Sequence, residues 1–198
     1  MTQIILASGS ATRFAILRDA GVQFSVERPH VDEASIIESL IAEKARPRDV
    51  ADLLAELKSA QVSNRHIGAL VIGADQVLSL GARIFQKPGD RAVAREQLLA
   101  LRGQTHTLSS AVCLSREGSV IWREVREAQL TMRNFSERFL EAYLELAGED
   151  ILGSVGAYQV EKLGIQLFSR VEGDHYTILG LPLISLLAFL RTQGVLAE

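Results

Sequence analysis

A chain of 198 residues, 47% hydrophobic and 23% charged, carries enough apolar material for one globular unit or two small lobes sharing a core. Its formal charge of −3 and its scattered basic residues exclude the clustered positive face of a nucleic-acid binder. A single cysteine, Cys113, excludes an internal disulfide and a cysteine-based zinc site. Cys113 lies in an apolar run, as a small core residue does. No basic segment precedes an apolar one at Met1-Thr2-Gln3, so no signal peptide is read. The longest apolar run, Ile178 to Leu190, is interrupted by Gly180, Pro182 and Ser185 and falls short of the ~20 residues a spanning helix needs. A cytoplasmic protein with no membrane or nucleic-acid partner is expected. Arginine outnumbers lysine seventeen to four, so each lysine merits separate inspection.

Gln3 to Ala7 predicts a first strand, Ser8-Gly9-Ser10 a small polar loop, and Ala11 to Ala20 a helix stopped by Gly21. Strand, Gly/Ser loop and helix N-terminus together make an anion site, because free amides and the helix dipole both favour phosphate. Arg13 adds a cation in the first turn. Ser10 as a plain N-cap explains the same residues. Gln23 to Glu27 predicts a second strand. Val31-Asp32-Glu33 sets two carboxylates before a helix at Ser35 to Ala45, where acids also favour the helix start on dipole grounds alone. Pro47 divides this helix from the next, Arg48 to Val62, which carries Lys58.

Leu70 to Ile72 is short, apolar and β-branched and predicts a buried strand, broken at Gly73, where the backbone is free to approach another segment closely. Asp75 then stands among apolar neighbours. A buried carboxylate needs a partner, a metal or a catalytic task. Lys87, held extended by Pro88, is a candidate partner if the flanking strands pair. Taken alone, this segment favours a structural salt bridge or a turn-capping aspartate. Asp90 to Leu101 predicts a helix. Thr107 to Leu114 and Val120 to Thr131 predict a hairpin turning at Glu117-Gly118, its second strand half exposed. Trp122 suits the core, a dimer contact or a ligand platform. Ser136 caps an amphipathic helix to Ala147, with Phe139, Leu140, Tyr143 and Leu144 inward. A loop from Gly148 to Tyr158, a strand at Ile165 to Arg170, a turn at Gly173-Asp174 and a last helix from Gly180-Leu181-Pro182 to near Gly194 complete a mixed α/β sheet protein. One domain, residues 1–198, is expected.

Leu6-Ala7-Ser8-Gly9-Ser10 with Arg13, Asp32-Glu33, Gly73-Ala74-Asp75, Lys87-Pro88, Gly103 to His106, Gly156-Ala157-Tyr158 and Gly180-Leu181-Pro182 occur in this order. Over nearly its whole length the chain resembles the Maf family of nucleoside triphosphate pyrophosphatases. The resemblance implies an α/β fold of mixed twisted sheet and flanking helices, related to inosine triphosphate pyrophosphatases, with two lobes around a cleft. It also implies frequent homodimers and a divalent metal, Mg²⁺ or Mn²⁺. By the same resemblance Asp75 is the catalytic acid that activates water, Glu33 a metal-binding or catalytic carboxylate, and Lys87 a phosphate-contacting lysine. Glu33 and Asp75 are the metal candidates. The family's second lysine lies in a Leu-Ala-x-x-Lys helix. Lys44 and Lys58 both compete for it, and the Leu54-Ala55 context and spacing select Lys58. Ser8, Ser10 and Arg13 hold the phosphate tail.

The chain departs from the pattern in three places. Thr12 stands where many members have a first arginine, Gln76 where many have threonine, and Gly153-Ser154 where many have Asp-Lys. Two cations are thereby lost. Members acting on dTTP and UTP carry Arg, Thr and Gln at three specificity positions. Those acting on 7-methyl-GTP resemble this chain at two, Gln76 and Glu161, but not at Thr12. A carboxylate at Glu161 suits guanine, whose Watson–Crick edge offers two donors, and 7-methylation adds a positive charge. Hydrolysis of a 7-methyl-GTP-like nucleotide is therefore expected first, with dTTP or UTP hydrolysis, or a nucleotide-binding regulator with little catalysis, as the alternatives.

Overall fold

A computed structural model describes residues 2–197. Its regular elements are β1 (Ile4–Ala7), α1 (Ala11–Asp19), β2 (Ser25–Val26), α2 (Glu33–Ala42), α3 (Pro47–Ser63), β3 (Leu70–Leu80), β4 (Arg83–Phe85) and α4 (Arg91–Leu101). After these come β5 (Thr105–Arg116), β6 (Ser119–Met132), α5 (Glu137–Ala147), β7 (Phe168–Glu172), α6 (His175–Ile178) and α7 (Leu183–Thr192). The chain falls into two compact units, Met1–Gln76 with Ser109–Arg126 and Asp174–Glu198, and Val77–Leu108 with Glu127–Gly173. The long strands β3, β5 and β6 each give one part to each unit.

In the first unit the strands lie in the order β2-β1-β3-β5-β6. β1 runs parallel to both neighbours, with Ile4 opposite Leu70 and Ala7 opposite Gly73. Side chains alternate across a strand, so β1 buries Ile4 and Leu6 in one cluster and Ile5 and Ala7 in another. The larger cluster joins Leu17 of α1, Leu70 and Ile72 of β3, and Leu186 and Leu190 of α7. The smaller joins Val71 and Val62 of α3. A strand covered on both faces reads as a continuous apolar run, which is why Ile4-Ile5-Leu6-Ala7 shows no alternation in sequence. Trp122 stacks on Phe189 at 5.1 Å and packs against the larger cluster.

Gly73 does not break β3. It lies inside the strand, and a Cβ there would sit 2.1 Å from the Ala55 carbonyl oxygen and 2.7 Å from the Ser59 amide nitrogen. The expected close approach is therefore to the backbone of α3. The expected second strand shrinks to Ser25–Val26, although the Glu27 amide still donates to the Leu6 carbonyl. α2 starts at Glu33, because Asp32 accepts from the Ser35 amide and caps it. The expected turn at Gly173-Asp174 opens an unforeseen short helix: Asp174 caps α6, and α7 begins only after Pro182.

In the second unit β3, β5, β6 and β7 follow in order, with β4 antiparallel to β3. Leu98 and Leu101 of α4, Leu108, Leu130, Phe135, and Leu140 and Tyr143 of α5 are sealed from solvent. The strand expected from Ile165 starts at Phe168, because Leu163–Leu167 forms a tight 3₁₀ turn in which Gly164 lies against the Gln159 backbone. The β5–β6 hairpin turns where expected. Glu117 and Gly118 both adopt positive φ, 51° and 76°, as a two-residue turn matched to strand twist requires. No helix among the described residues is long and apolar enough to cross a membrane.

Candidate active site

Three elements of the first unit bring two carboxylates to one ammonium. Asp75 projects from β3, Lys58 from α3, and Glu33 opens α2. The Lys58 Nζ lies 2.6 Å from Asp75 Oδ1 and 2.8 Å from Glu33 Oε1. Lys58 is 5% exposed and Asp75 8%. Charges buried to this degree are tolerated only when paired and hydrogen-bonded, and here each is. Glu33 stays half open to solvent, with 46% of its side chain exposed. Lys44 takes no part: it follows α2 at φ 57° and is exposed. Asp32 is committed to Ser35, binding its amide and its hydroxyl.

The Ser8-Gly9-Ser10 loop joins the C-terminal end of β1 to α1. Ser10 Oγ accepts from the Arg13 amide at 3.3 Å, so Ser10 is the N-cap that sequence allowed. Ser8 Oγ accepts from the Ser10 amide at 3.2 Å and from Arg13 Nη1 at 3.3 Å. Arg13 Nε donates to the Gly180 carbonyl at 2.9 Å. Burial pushes the Arg13 guanidinium down from its ordinary value, and the charges of Asp75 and then Glu33 oppose that shift. A fixed cation beside a helix N-terminus is suited to an anion. Thr12, half buried, follows in the first turn of α1.

Gln76 Nε2 donates to Ser110 Oγ at 2.9 Å, to the Ile178 carbonyl at 3.0 Å and to the Thr177 carbonyl at 3.2 Å. Gly180 sits between Gln76 and Arg13, since a Cβ there would lie 3.5 Å from each. Of the residues singled out in sequence, the first unit thus gathers Glu33, Lys58 and Asp75 in one cluster and Ser8, Ser10 and Arg13 in another. Gln76 joins the second through Gly180. Lys87 and Glu161 belong to the second unit, both exposed, and neither makes a hydrogen bond or ion pair to a described residue. The cation given to Asp75 is therefore Lys58, not Lys87.

Sequence reasoning missed Ser110, Asp174 and Thr177. Asp174 at the start of α6, three residues before Thr177, is a capping spacing that was open to inspection. Ser110 gave no signal. It also missed a buried pair in the second unit, where His106 Nε2 meets the Tyr158 hydroxyl at 2.7 Å.

The profile described as "Maf-like protein" matches residues 3–193. A nucleoside triphosphate pyrophosphatase of Paramagnetospirillum magneticum is 55% identical over 97% of this chain and 99% of its own. One of Caulobacter vibrioides is 50% identical over 99% of this chain and 98% of its own. A 7-methyl-GTP pyrophosphatase of Brucella abortus is 48% identical over 96% of each chain.

Proposed function

This chain belongs to the Maf-like protein family, and from that premise we propose that it is a nucleoside triphosphate pyrophosphatase. It cleaves the α–β phosphoanhydride to a nucleoside monophosphate and pyrophosphate. One observation carries the chemistry: Lys58 ties the buried Asp75 and the half-open Glu33 together, in the same unit as an Arg13-braced loop at a helix N-terminus. Carboxylates to handle water and a cation-lined loop to hold polyphosphate are the two parts such a hydrolysis needs.

Asp75 orients the attacking water and takes its proton. Water oxygen bonds to phosphorus as the bridging P–O bond breaks, and pyrophosphate leaves. Lys58 holds both carboxylates in place. Arg13, Ser8 and Ser10 take the phosphate oxygens. Lys87 is proposed as a further phosphate contact. A divalent cation, Mg²⁺ or Mn²⁺, suits the donor set. Glu33 and Asp75 approach one point closely enough to share Lys58 Nζ, and Mg²⁺ is commonly bound by one or two carboxylates plus substrate phosphates. Such an ion supplies charge neutralisation on the phosphates. Glu33 and Asp75 are the residues that would hold such an ion, with the substrate's phosphates.

The preferred base is a 7-methylguanine-like one. Gln76 and Glu161 support this reading, with Glu161 accepting the two donors of the base edge, and a relative with 48% identity carries that activity in its name. The remaining sequence expectations, a homodimer and a cytoplasmic location, are part of the same proposal.

The deciding assay is pyrophosphate release from 7-methyl-GTP, GTP, dTTP and UTP, with Mg²⁺ or Mn²⁺ and with EDTA. Release that is fastest with 7-methyl-GTP and needs metal is expected. Fastest release from dTTP or UTP would overturn the base assignment alone. Nucleotide binding without release would leave a regulator in place of an enzyme.

A further inference from the structure

Gln76 is held in one amide orientation by a hydrogen-bond network. Its Nε2 faces three oxygens, Ser110 Oγ, Thr177 O and Ile178 O. The two carbonyls only accept. The Ser110 hydroxyl spends its proton on Thr177 O at 2.7 Å, so towards Gln76 it too only accepts. A flipped amide would set Oε1 against three acceptors. The network therefore fixes the flip, and Oε1 becomes the free atom: it bonds to no described residue and is not among the buried atoms left without a partner. The carbonyls are fixed in turn. Asp174 accepts from the Thr177 amide at 2.8 Å and from its hydroxyl at 2.9 Å, capping α6. Two residues on, Gly180 O holds Arg13.

We infer that Ser110 and the Asp174-capped turn are positioning residues that present Gln76 as a pure hydrogen-bond acceptor, so that the site selects a base offering an N–H at that point. This rests on the proposed 7-methylguanine preference, in which Gln76 is a specificity position. It adds that selectivity is set by two residues that touch no substrate. Ser110 governs the amide alone. Asp174 governs the amide and, through the turn ending at Gly180, also Arg13.

The test is equilibrium titration of 7-methyl-GTP and of CTP, whose ring nitrogen N3 carries no proton where guanine N1 does, in EDTA, by calorimetry, on the wild type, Ser110→Ala, Asp174→Ala and Asp174→Asn, each checked for cooperative thermal unfolding. In Ser110→Ala the ratio of the two dissociation constants moves about fivefold towards one, as the loss of one neutral hydrogen bond allows. Asp174→Ala shows the same collapse and also weakens both nucleotides together, because Arg13 loosens. Asp174→Asn, which keeps one acceptor, falls between. Equal weakening of both nucleotides in Ser110→Ala, or an unchanged ratio in both Ser110→Ala and Asp174→Ala, overturns the inference. So does a wild type that binds the two alike or not at all. A wild type that discriminates between them but releases no pyrophosphate with metal defeats the hydrolase reading and leaves the ratio to decide this one. Pyrophosphate release with an unmoved ratio does the reverse.

Discussion

The two units bury titratable groups by opposite means. In the first, Lys58, Asp75 and Arg13 are each set against opposite charge or hydrogen-bond acceptors. In the second, the buried groups stay neutral. Burial pushes the His106 imidazole down to about 4, and pushes the Tyr143 and Tyr158 hydroxyls up. His106 Nδ1 has no partner among the described residues, and its ring contacts are aromatic, with Tyr158 and Phe168. Paired charge stores a strong local field and suits chemistry on a polyphosphate, whereas neutral burial gives packing that is sensitive to acid.

The largest effect that separates the units is on turnover. Asp75→Asn is expected to cut kcat by about 10³-fold or more, the scale of a lost general base, with the fold intact by circular dichroism. Activity near that of the wild type would remove Asp75 from its role. Next is Lys58→Met, which leaves Asp75 buried without its ammonium. A loss of about 3 kcal/mol in urea unfolding at pH 7 is expected.

The second unit should respond to pH through His106. His106 has a folded pKa of about 4 against an ordinary 6.5, so the unfolded chain binds the extra proton between those values. Its contribution is complete above pH 6.5 and is lost as pH falls towards 4, up to about 3 kcal/mol for a shift of this size. A stability curve that stays flat over that range, after comparison with His106→Phe, would contradict the neutral-burial account. Gly73→Ala tests the packing beneath the charged cluster. Its Cβ would meet the Ala55 carbonyl at 2.1 Å, so α3 must shift, at about 2 kcal/mol by thermal melts and with a lower kcat through Lys58. The smallest effect belongs to Tyr143→Phe, which removes the hydrogen bond to the Ala157 carbonyl for about 1 kcal/mol and leaves kcat unchanged.

Much of the fold was legible because it is local. The Ser10 cap, the Pro47 break between α2 and α3, the Glu117-Gly118 turn and the Ser136 cap of α5 each rest on chemistry within a few residues, and each occurs where expected. The failures have a local cause too. Gly73 looked like a strand end because glycine often is one, but its reason lies 18 residues back, in the α3 backbone at Ala55. The short α6 was hidden inside a turn signal.

By itself the sequence determined the α/β class and the family, since motif order is a property of the chain read in one direction. Tertiary structure decided which charges pair and which oxygens orient Gln76. Lys58 meets Glu33 and Asp75 across 25 and 17 positions, and Gln76 meets Thr177 across 101. Contacts so distant leave no periodicity or spacing to read. Only the packing of α3, α6 and the sheet sets side chains within hydrogen-bond reach, and at that range a shift of an ångström separates an ion pair from two stranded charges.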